Sequence, residues 1–277
     1  MSYHRPVELD SALDLLAADG GKIIAGGTDV YPSAKPGVHP EYYLDITAIT
    51  GLSDISHTSE GTRIGASVTW SQIAHAPLPA AFDGLKQAAH EVGSIQIQNA
   101  GTLVGNLCNA SPAADGVPPL LTLDAQVELQ SAARGTRQMP LDAFLQGVRK
   151  TSRAPDELVT AICIPPVATT TRSAFEKLGS RRYLVISITM CAAVIDCDVA
   201  GRITQAKVAV GACSAVATRL PALETALIGK RTDTITITPA DLTGLSPITD
   251  VRGSAAYRLD VVAEQCRRAI QKAMCHE

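Results

Sequence analysis

No run of apolar residues in the sequence approaches the roughly 20 needed to span a bilayer, so no membrane insertion is expected. The opening Met1-Ser2-Tyr3-His4-Arg5-Pro6 lacks the apolar centre of a secretion signal, and cytoplasmic residence is the default expectation. Neither sign of charge is in marked excess. The 24 Lys and Arg against 27 Asp and Glu leave a net charge of −3, which gives no electrostatic case for nucleic acid or for an anionic membrane. Cysteines stand at 108, 163, 191, 197, 213, 266 and 275, odd in number, scattered and without a C-x-x-C spacing. They read as buried free thiols in preference to a metal or cluster site. The G-x-G-x-x-G and G-x-x-x-x-G-K-[S/T] fingerprints are missing too, which removes support for a nicotinamide-binding doubly wound domain.

What the chain does have is a concentration of small residues from 97 to 116, Ile-Gln-Asn-Ala-Gly-Thr-Leu-Val-Gly-Asn-Leu-Cys-Asn-Ala-Ser-Pro-Ala-Ala-Asp-Gly, with no Lys, Arg or His. Such a stretch suits a loop whose main chain touches a ligand closely. Glycine removes the Cβ that would hold a phosphate away, and successive backbone N–H groups make an anion site without a cationic side chain. Thr102, Asn106 and Asn109 add short polar groups, and Asp115 is an acceptor for ligand hydroxyls; the plainer reading is a turn-rich connection between strands. A second glycine stretch lies upstream, Lys22-Ile23-Ile24-Ala25-Gly26-Gly27-Thr28-Asp29-Val30, where an apolar strand runs into a Gly-Gly-Thr-Asp turn. Two such bends can grip one pyrophosphate between them.

Ala25-Gly26-Gly27-Thr28-Asp29, then Asn99-x-Gly101-Thr102-x-x-Gly105-Asn106-Leu107 with Ser111-Pro112-Ala113-Ala114-Asp115, then Glu176-Lys177-Leu178 and Asp250-x-Arg252-Gly253-Ser254-Ala255-x-Tyr257-Arg258, occur in that order. Together they resemble the FAD-binding medium subunit of the molybdenum hydroxylases, the group of xanthine dehydrogenase, carbon monoxide dehydrogenase and the bacterial aldehyde and N-heterocycle hydroxylases. The resemblance covers nearly the whole chain. One departure is Val104, which stands where the family usually has the first of two glycines before the asparagine.

The resemblance implies an α+β protein: a two-lobed PCMH-type FAD-binding domain over 1–167, with subdomains of about 1–50 and 51–167, then a C-terminal α+β domain of the CO dehydrogenase flavoprotein type over 168–277. It implies FAD on this chain, with the molybdenum cofactor on a large partner subunit and [2Fe-2S] clusters on a small one, assembled as a dimer of three-chain units. Residue by residue, it places Gly26, Gly27, Thr28 and Asp29 at the pyrophosphate, with Ile23, Ile24 and Ala25 as the floor and Val30 among the cofactor-binding residues. Gly101, Thr102, Gly105 and Asn106 form the second half of the cradle, Asp115 takes ribityl or ribose hydroxyls, Val159 makes a backbone contact, and Lys177 stands beside the isoalloxazine. Tyr183 is a candidate to shield one ring face. No catalytic acid or base and no metal ligand is identified on this chain. The alternatives are a free-standing FAD oxidoreductase of the same fold and a scaffold subunit that holds no flavin.

The coarse pattern agrees with two or three lobes for a chain of 277 residues. A helix is expected over Leu9–Ala18, closed by Gly20-Gly21, and strands over Lys22–Ala25 and Tyr42–Ile46, with Tyr31–Pro36 as loop. After Gly51 come a strand from Thr62 to Ala66, a helix opening at Thr69, a helix from Phe82 to Val92, and a short helix begun by Pro118-Pro119. Ser111-Pro112 reads as a cap and first turn. Gln126–Gln130 is a strand and Leu141–Phe144 a helical turn. Trp70 is read as packing, and His75 and His90 as structural or surface groups. Leu158–Ile164 is a strong strand stopped by Pro165-Pro166. Strands over Ser173–Leu178, Ile186–Cys197 and Ile203–Ala212, a helix over Val216–Ile228 and a last helix over Ser254–Met274 complete the chain. The last helix presents Leu259, Val262, Cys266, Ile270 and Met274 along one face.

Overall fold

The computed structural model describes residues 2–19, 21–34, 37, 40 and 42–274. The chain opens with strand β1 (Ser2–His4), helix α1 (Leu9–Asp19), strand β2 (Lys22–Ile24) and strand β3 (Tyr42–Asp45). β3 lies between the other two and both pairings are parallel; α1 makes the crossover between β1 and β2, and the longer stretch holding the first glycine bend leads from β2 to β3. α1 turns Ala12, Leu13 and Leu16 inward, and the Tyr42 hydroxyl donates to the Leu15 carbonyl at 2.6 Å to fix helix to sheet. Since β2 ends at Ile24, the first glycine bend follows directly from the carboxyl edge of a parallel sheet, the usual ligand side of such sheets. Of the expected 31–36 loop, 31–34 is turn and bend-free coil, while Lys35 and Pro36 lie outside the described residues, as does Gly20.

The second part is an antiparallel sheet, β4 (Ile55–Thr58), β5 (Gly61–Gly65), β6 (Gln126–Ser131), β7 (Gly135–Pro140) and β10 (Leu158–Ile164), in the order β4-β5-β10-β6-β7. Between β5 and β6 come α2 (Trp70–His75), a 3-10 turn (Ala80–Phe82), α3 (Asp83–Glu91), α4 (Ile95–Ala100), α5 (Leu103–Asn109) and α6 (Val117–Thr122). Between β7 and β10 come α7 (Leu141–Phe144) and the small hairpin β8 (Leu145–Gly147) and β9 (Lys150–Thr151). Ile64, Val127, Leu129 and Ile162 face one core together with Trp70, Phe82 and Phe144, all at 2% exposure or less. Trp70 is therefore packing, as its sequence context suggested.

The stretch expected as loop is largely helical. Ser94 caps α4 through the Ile97 amide at 3.4 Å, and Thr102 caps α5 through the Gly105 amide at 3.0 Å. The Thr102 hydroxyl, which read as a ligand group, thus also serves as a helix cap. Ser111-Pro112 starts no helix, since α6 begins at Val117.

The C-terminal part is the antiparallel sheet β11 (Arg172–Leu178), β12 (Thr189–Cys197), β13 (Ile203–Gly211) and β14 (Thr218–Arg219) in that order, covered by α8 (Pro221–Leu227) and α9 (Ala255–Met274). The expected helix from Val216 is shorter because Thr218 and Arg219 pair with Val210 and Ala209, and Pro221 then sets the helix start. The buried stripe of α9 runs Arg258, Val262, Cys266, Ala269, Ile270 and Ala273. Leu259 is 42% exposed, and the Arg258 guanidinium occupies the inward position instead, bonded to Asp250 at 2.7 Å and the Ala212 carbonyl at 3.0 Å.

α3 lies along β11 and joins the two parts. Gly84 donates to Ser173 Oγ at 2.8 Å, the Phe175 amide to Gln87 Oε1 at 2.8 Å, and Lys177 Nζ to the Glu91 carbonyl at 3.0 Å. One helix face at 84, 87 and 91 therefore meets one strand face at 173, 175 and 177. A Cβ on Gly84 would lie 3.1 Å from the Ala174 backbone, which is how closely the two elements approach.

Candidate functional site

The two glycine bends meet. A Cβ on Gly26 would fall 1.8 Å from the Ala100 carbonyl oxygen, so the first bend accepts the second only through its glycine, and one on Gly101 would lie 3.3 Å from Thr28 Oγ1, a tight contact across the same seam. Gly27 has φ +69, a conformation that favours glycine. The second bend is fastened from behind by Trp70 N donating to the Gly101 carbonyl at 3.1 Å and Leu103 N to the Val68 carbonyl at 3.2 Å. The first leaves its main-chain donors free: among the described residues, no acceptor takes the amides of Gly26, Gly27, Thr28 or Asp29.

Both bends line one cavity of about 500 Å³, within the range of small-molecule and cofactor sites. Ile23, Ala25, Gly26, Gly27, Thr28, Asp29, Val30, Gly101, Thr102, Gly105, Asn106 and Val159 all border it, and Ile24 lies behind it in the core at 3% exposure. Val104 is 4% exposed, with its side chain in the main core cluster, although the residue borders the cavity. Asn106 borders the cavity, but its Oδ1 is fully buried on the side of Gly116, where it finds no hydrogen-bond donor among the described residues.

Asp115 and Lys177 do not border this cavity. They bond to each other at 2.9 Å, with the Asp115 side chain 11% and the Lys177 side chain 6% exposed, and Ser187 Oγ donates to the other carboxylate oxygen at 2.7 Å. Burial pushes the Asp115 carboxyl above its ordinary value, opposed by the adjacent Lys177 ammonium and the Ser187 hydroxyl. Lys177 is thus not a solvated strand lysine. Tyr183 sits 69% exposed with the Arg182 guanidinium 5.4 Å from its ring centre, and it does not border the cavity. Of the thiols, Cys191, Cys213 and Cys266 are buried, Cys163 and Cys197 half-buried and Cys108 exposed, while Cys275 lies outside the described residues. The expectation of burial therefore fails for Cys108, which sits on the cavity wall near the end of α5. Among the described residues there is no cluster of metal-ligating side chains.

Three cations on the cavity wall, Lys22, Arg149 and Arg153, did not emerge from the sequence. Against them stands a single lining acid among the described residues, Asp29, so that part of the wall carries a formal surplus of positive charge in a chain whose net charge is negative. Arg149 and Arg153 flank β9, a two-residue strand with no periodicity to mark it. The signal was present only as a cationic run, Arg149-Lys150-x-x-Arg153, just before β10. Free main-chain amides and surplus positive charge form a donor set suited to an anionic ligand such as a dinucleotide.

Residues 1–167 match the family model described as the FAD binding domain in molybdopterin dehydrogenase, and residues 173–273 match the CO dehydrogenase flavoprotein C-terminal domain. This chain belongs to the FAD-binding medium subunits of the molybdopterin hydroxylases, the xanthine/CO dehydrogenase family. The medium subunit is 31% identical to the nicotine 6-hydroxylase medium subunit of Paenarthrobacter nicotinovorans, over 98% of this chain and 96% of the relative. It is likewise 31% identical to the xanthine dehydrogenase FAD-binding subunit of Escherichia coli O157:H7, over 99% of this chain and 96% of that one. Among solved structures, it superposes on a chain of the carbon monoxide dehydrogenase from Hydrogenophaga pseudoflava with a TM-score of 0.89 and 27% identity, covering 100% of this chain and 98% of that one. The medium subunit is accordingly an α+β oxidoreductase subunit. No helix among its described residues is long and apolar enough to cross a membrane.

Proposed function

We propose that this medium subunit seats FAD in the cavity between its two glycine bends and thereby carries electrons from iron–sulfur clusters on a partner subunit to an external acceptor. The observation that carries the reading is the contact of Gly26 with Ala100 and of Gly101 with Thr28, which makes one cradle of two distant sequence stretches. When bound there, flavin supplies the redox chemistry, which no side chain of this chain can perform. The protein's part is to hold and orient. The amides of Gly26 to Asp29 would donate to the diphosphate, with Thr102, Gly105 and Asn106 closing the other side and Ile23, Ile24, Ala25 and Val30 packing beneath. Val159 would border the adenosine or flavin end.

By the family's pattern Asp115 and Lys177 would stand at the flavin end, beyond the cavity they do not border, and would act there as a joined pair. Each keeps unused capacity: Nζ has three donors, of which the Asp115 and Glu91 bonds take two, and each carboxylate oxygen accepts more than one bond. By the family's pattern, a large molybdenum-cofactor subunit and a small [2Fe-2S] subunit complete a cytoplasmic assembly, a dimer of three-chain units. Purifying the native complex tests the reading. Extracted FAD at one per medium subunit, with molybdenum- and iron-bearing chains in the same peak, is the expected result. A flavin-free preparation, or flavin without partner chains, would defeat it in its first or second part respectively.

A further inference from the structure

Resting on the flavin-dinucleotide reading above, we infer that Arg149 and Arg153 hold the adenylate half of the cofactor and make the cradle selective for a dinucleotide over a flavin mononucleotide. Each guanidinium is anchored through Nη1 alone and only to neutral acceptors. Arg149 Nη1 donates to Asn109 Oδ1, and Arg153 Nη1 donates to the carbonyls of Ala154, Pro155 and Glu157 at 3.1, 3.3 and 2.7 Å. The Nε and Nη2 groups of both donate to no described residue, and neither arginine is paired with a carboxylate among the described residues. Anchoring one nitrogen while the rest of the fork stays free fixes the plane of the guanidinium and keeps its charge and donors for a ligand.

Placement selects the ligand group. Thr102 and the second glycine bend stand at the start of α5, and Asn109, which holds Arg149, stands at its end. Seven residues of helix separate the two by about 10 Å. The hairpin that carries Arg149 is tied to the same helix end by Arg149 N donating to the Ala110 carbonyl at 2.9 Å, and Arg149 holds φ +59 to do so. A diphosphate seated at the bends therefore has its adenosine arm available to cover this distance, with the purine meeting the guanidinium planes and the ribose hydroxyls meeting their free N–H groups. A flavin mononucleotide ends at its single phosphate and leaves both arginines without a partner.

Flavin-free full-length subunit titrated with ADP, FAD and FMN tests the assignment, in the wild type and in Arg149→Gln, Arg153→Gln and the double variant. Glutamine keeps an amide donor for the carbonyls that Arg153 holds. The double variant is expected to lose tenfold or more in affinity for ADP and for FAD while its FMN affinity stays unchanged, the loss typical of charge-assisted hydrogen bonds. Unchanged ADP affinity in the double variant, or an equal loss of FMN affinity, would overturn the assignment and leave the flavin reading standing. A wild type that binds no FAD would overturn both.

Discussion

Replacing Lys177 by Met isolates the energetic role of the Asp115–Lys177 pair. The substitution keeps the length and most of the apolar stem of the side chain, so the loss is that of the ammonium. Asp115 would be left at 8% residue exposure with only Ser187 as donor, and Glu91 would lose the donor to its carbonyl. Removing one partner of a buried pair costs about 3–5 kcal/mol, because the other charge stays buried uncompensated. For a chain of 277 residues the unfolding entropy is about 0.6 kcal/mol per kelvin, so the melting temperature should fall by about 5–8 °C. The defect should also depend on pH with a definite sign. Burial already raises the Asp115 carboxyl, and without Lys177 it rises further. A group whose folded value lies above its unfolded value adds stability at low pH and loses it as pH rises through the folded value. The Lys177→Met variant should therefore approach the wild type as pH falls, and the double Asp115→Asn/Lys177→Met variant should recover most of the loss at neutral pH. Differential scanning calorimetry across pH reads all three quantities. A Lys177→Met melting temperature within a degree of wild type at neutral pH would refute the reasoning.

Gly26→Ala should abolish flavin retention, because its Cβ would collide with the Ala100 carbonyl and part the two bends; the visible spectrum and the near-unchanged melting of the C-terminal part would show it. Gly27→Val should do the same through its φ of +69, and a variant that keeps full flavin would count against the cradle. Stability should fall between about pH 5 and pH 3, read by thermal melts. The Arg137 hydrogen bonds hold Glu157 below its ordinary value despite its burial, and in Glu128 the bonds from Arg63 and Thr160 outweigh the burial that raises it. Groups with lowered folded values contribute above the unfolded value and lose that contribution as pH falls, so a melting temperature that rises on acidification would contradict the assignment. Trp70→Ala should cost about 3–5 kcal/mol by emptying a position that is 2% exposed, measured by denaturant unfolding.

Much of the fold was legible because local pattern and tertiary role agree. The apolar runs Leu158–Ile164 and Ile203–Gly211 became central strands, and Pro165-Pro166 ended the first of them. The glycines at 26, 27 and 101 were legible as sites of close approach because only a residue without Cβ fits there. The helices of the 95–109 stretch were not, since the same Ser and Thr hydroxyls that suit a ligand also cap helices, and α4 and α5 are too short to show a period. Arg149 and Arg153 escaped notice because their relation to the glycine bends comes from a hairpin folding back on the end of α5, a contact with no local signature. The Asp115–Lys177 bond joins residues 62 apart, and each alone looked like a ligand group in search of a ligand.

The most direct test of the shared cradle is the structure of the subunit with FAD bound. The expected result is the diphosphate within hydrogen-bond distance of the Gly26–Asp29 amides on one side and of the Thr102–Asn106 segment on the other. Density for the diphosphate against only one of the two segments, or elsewhere on the molecule, would contradict the account.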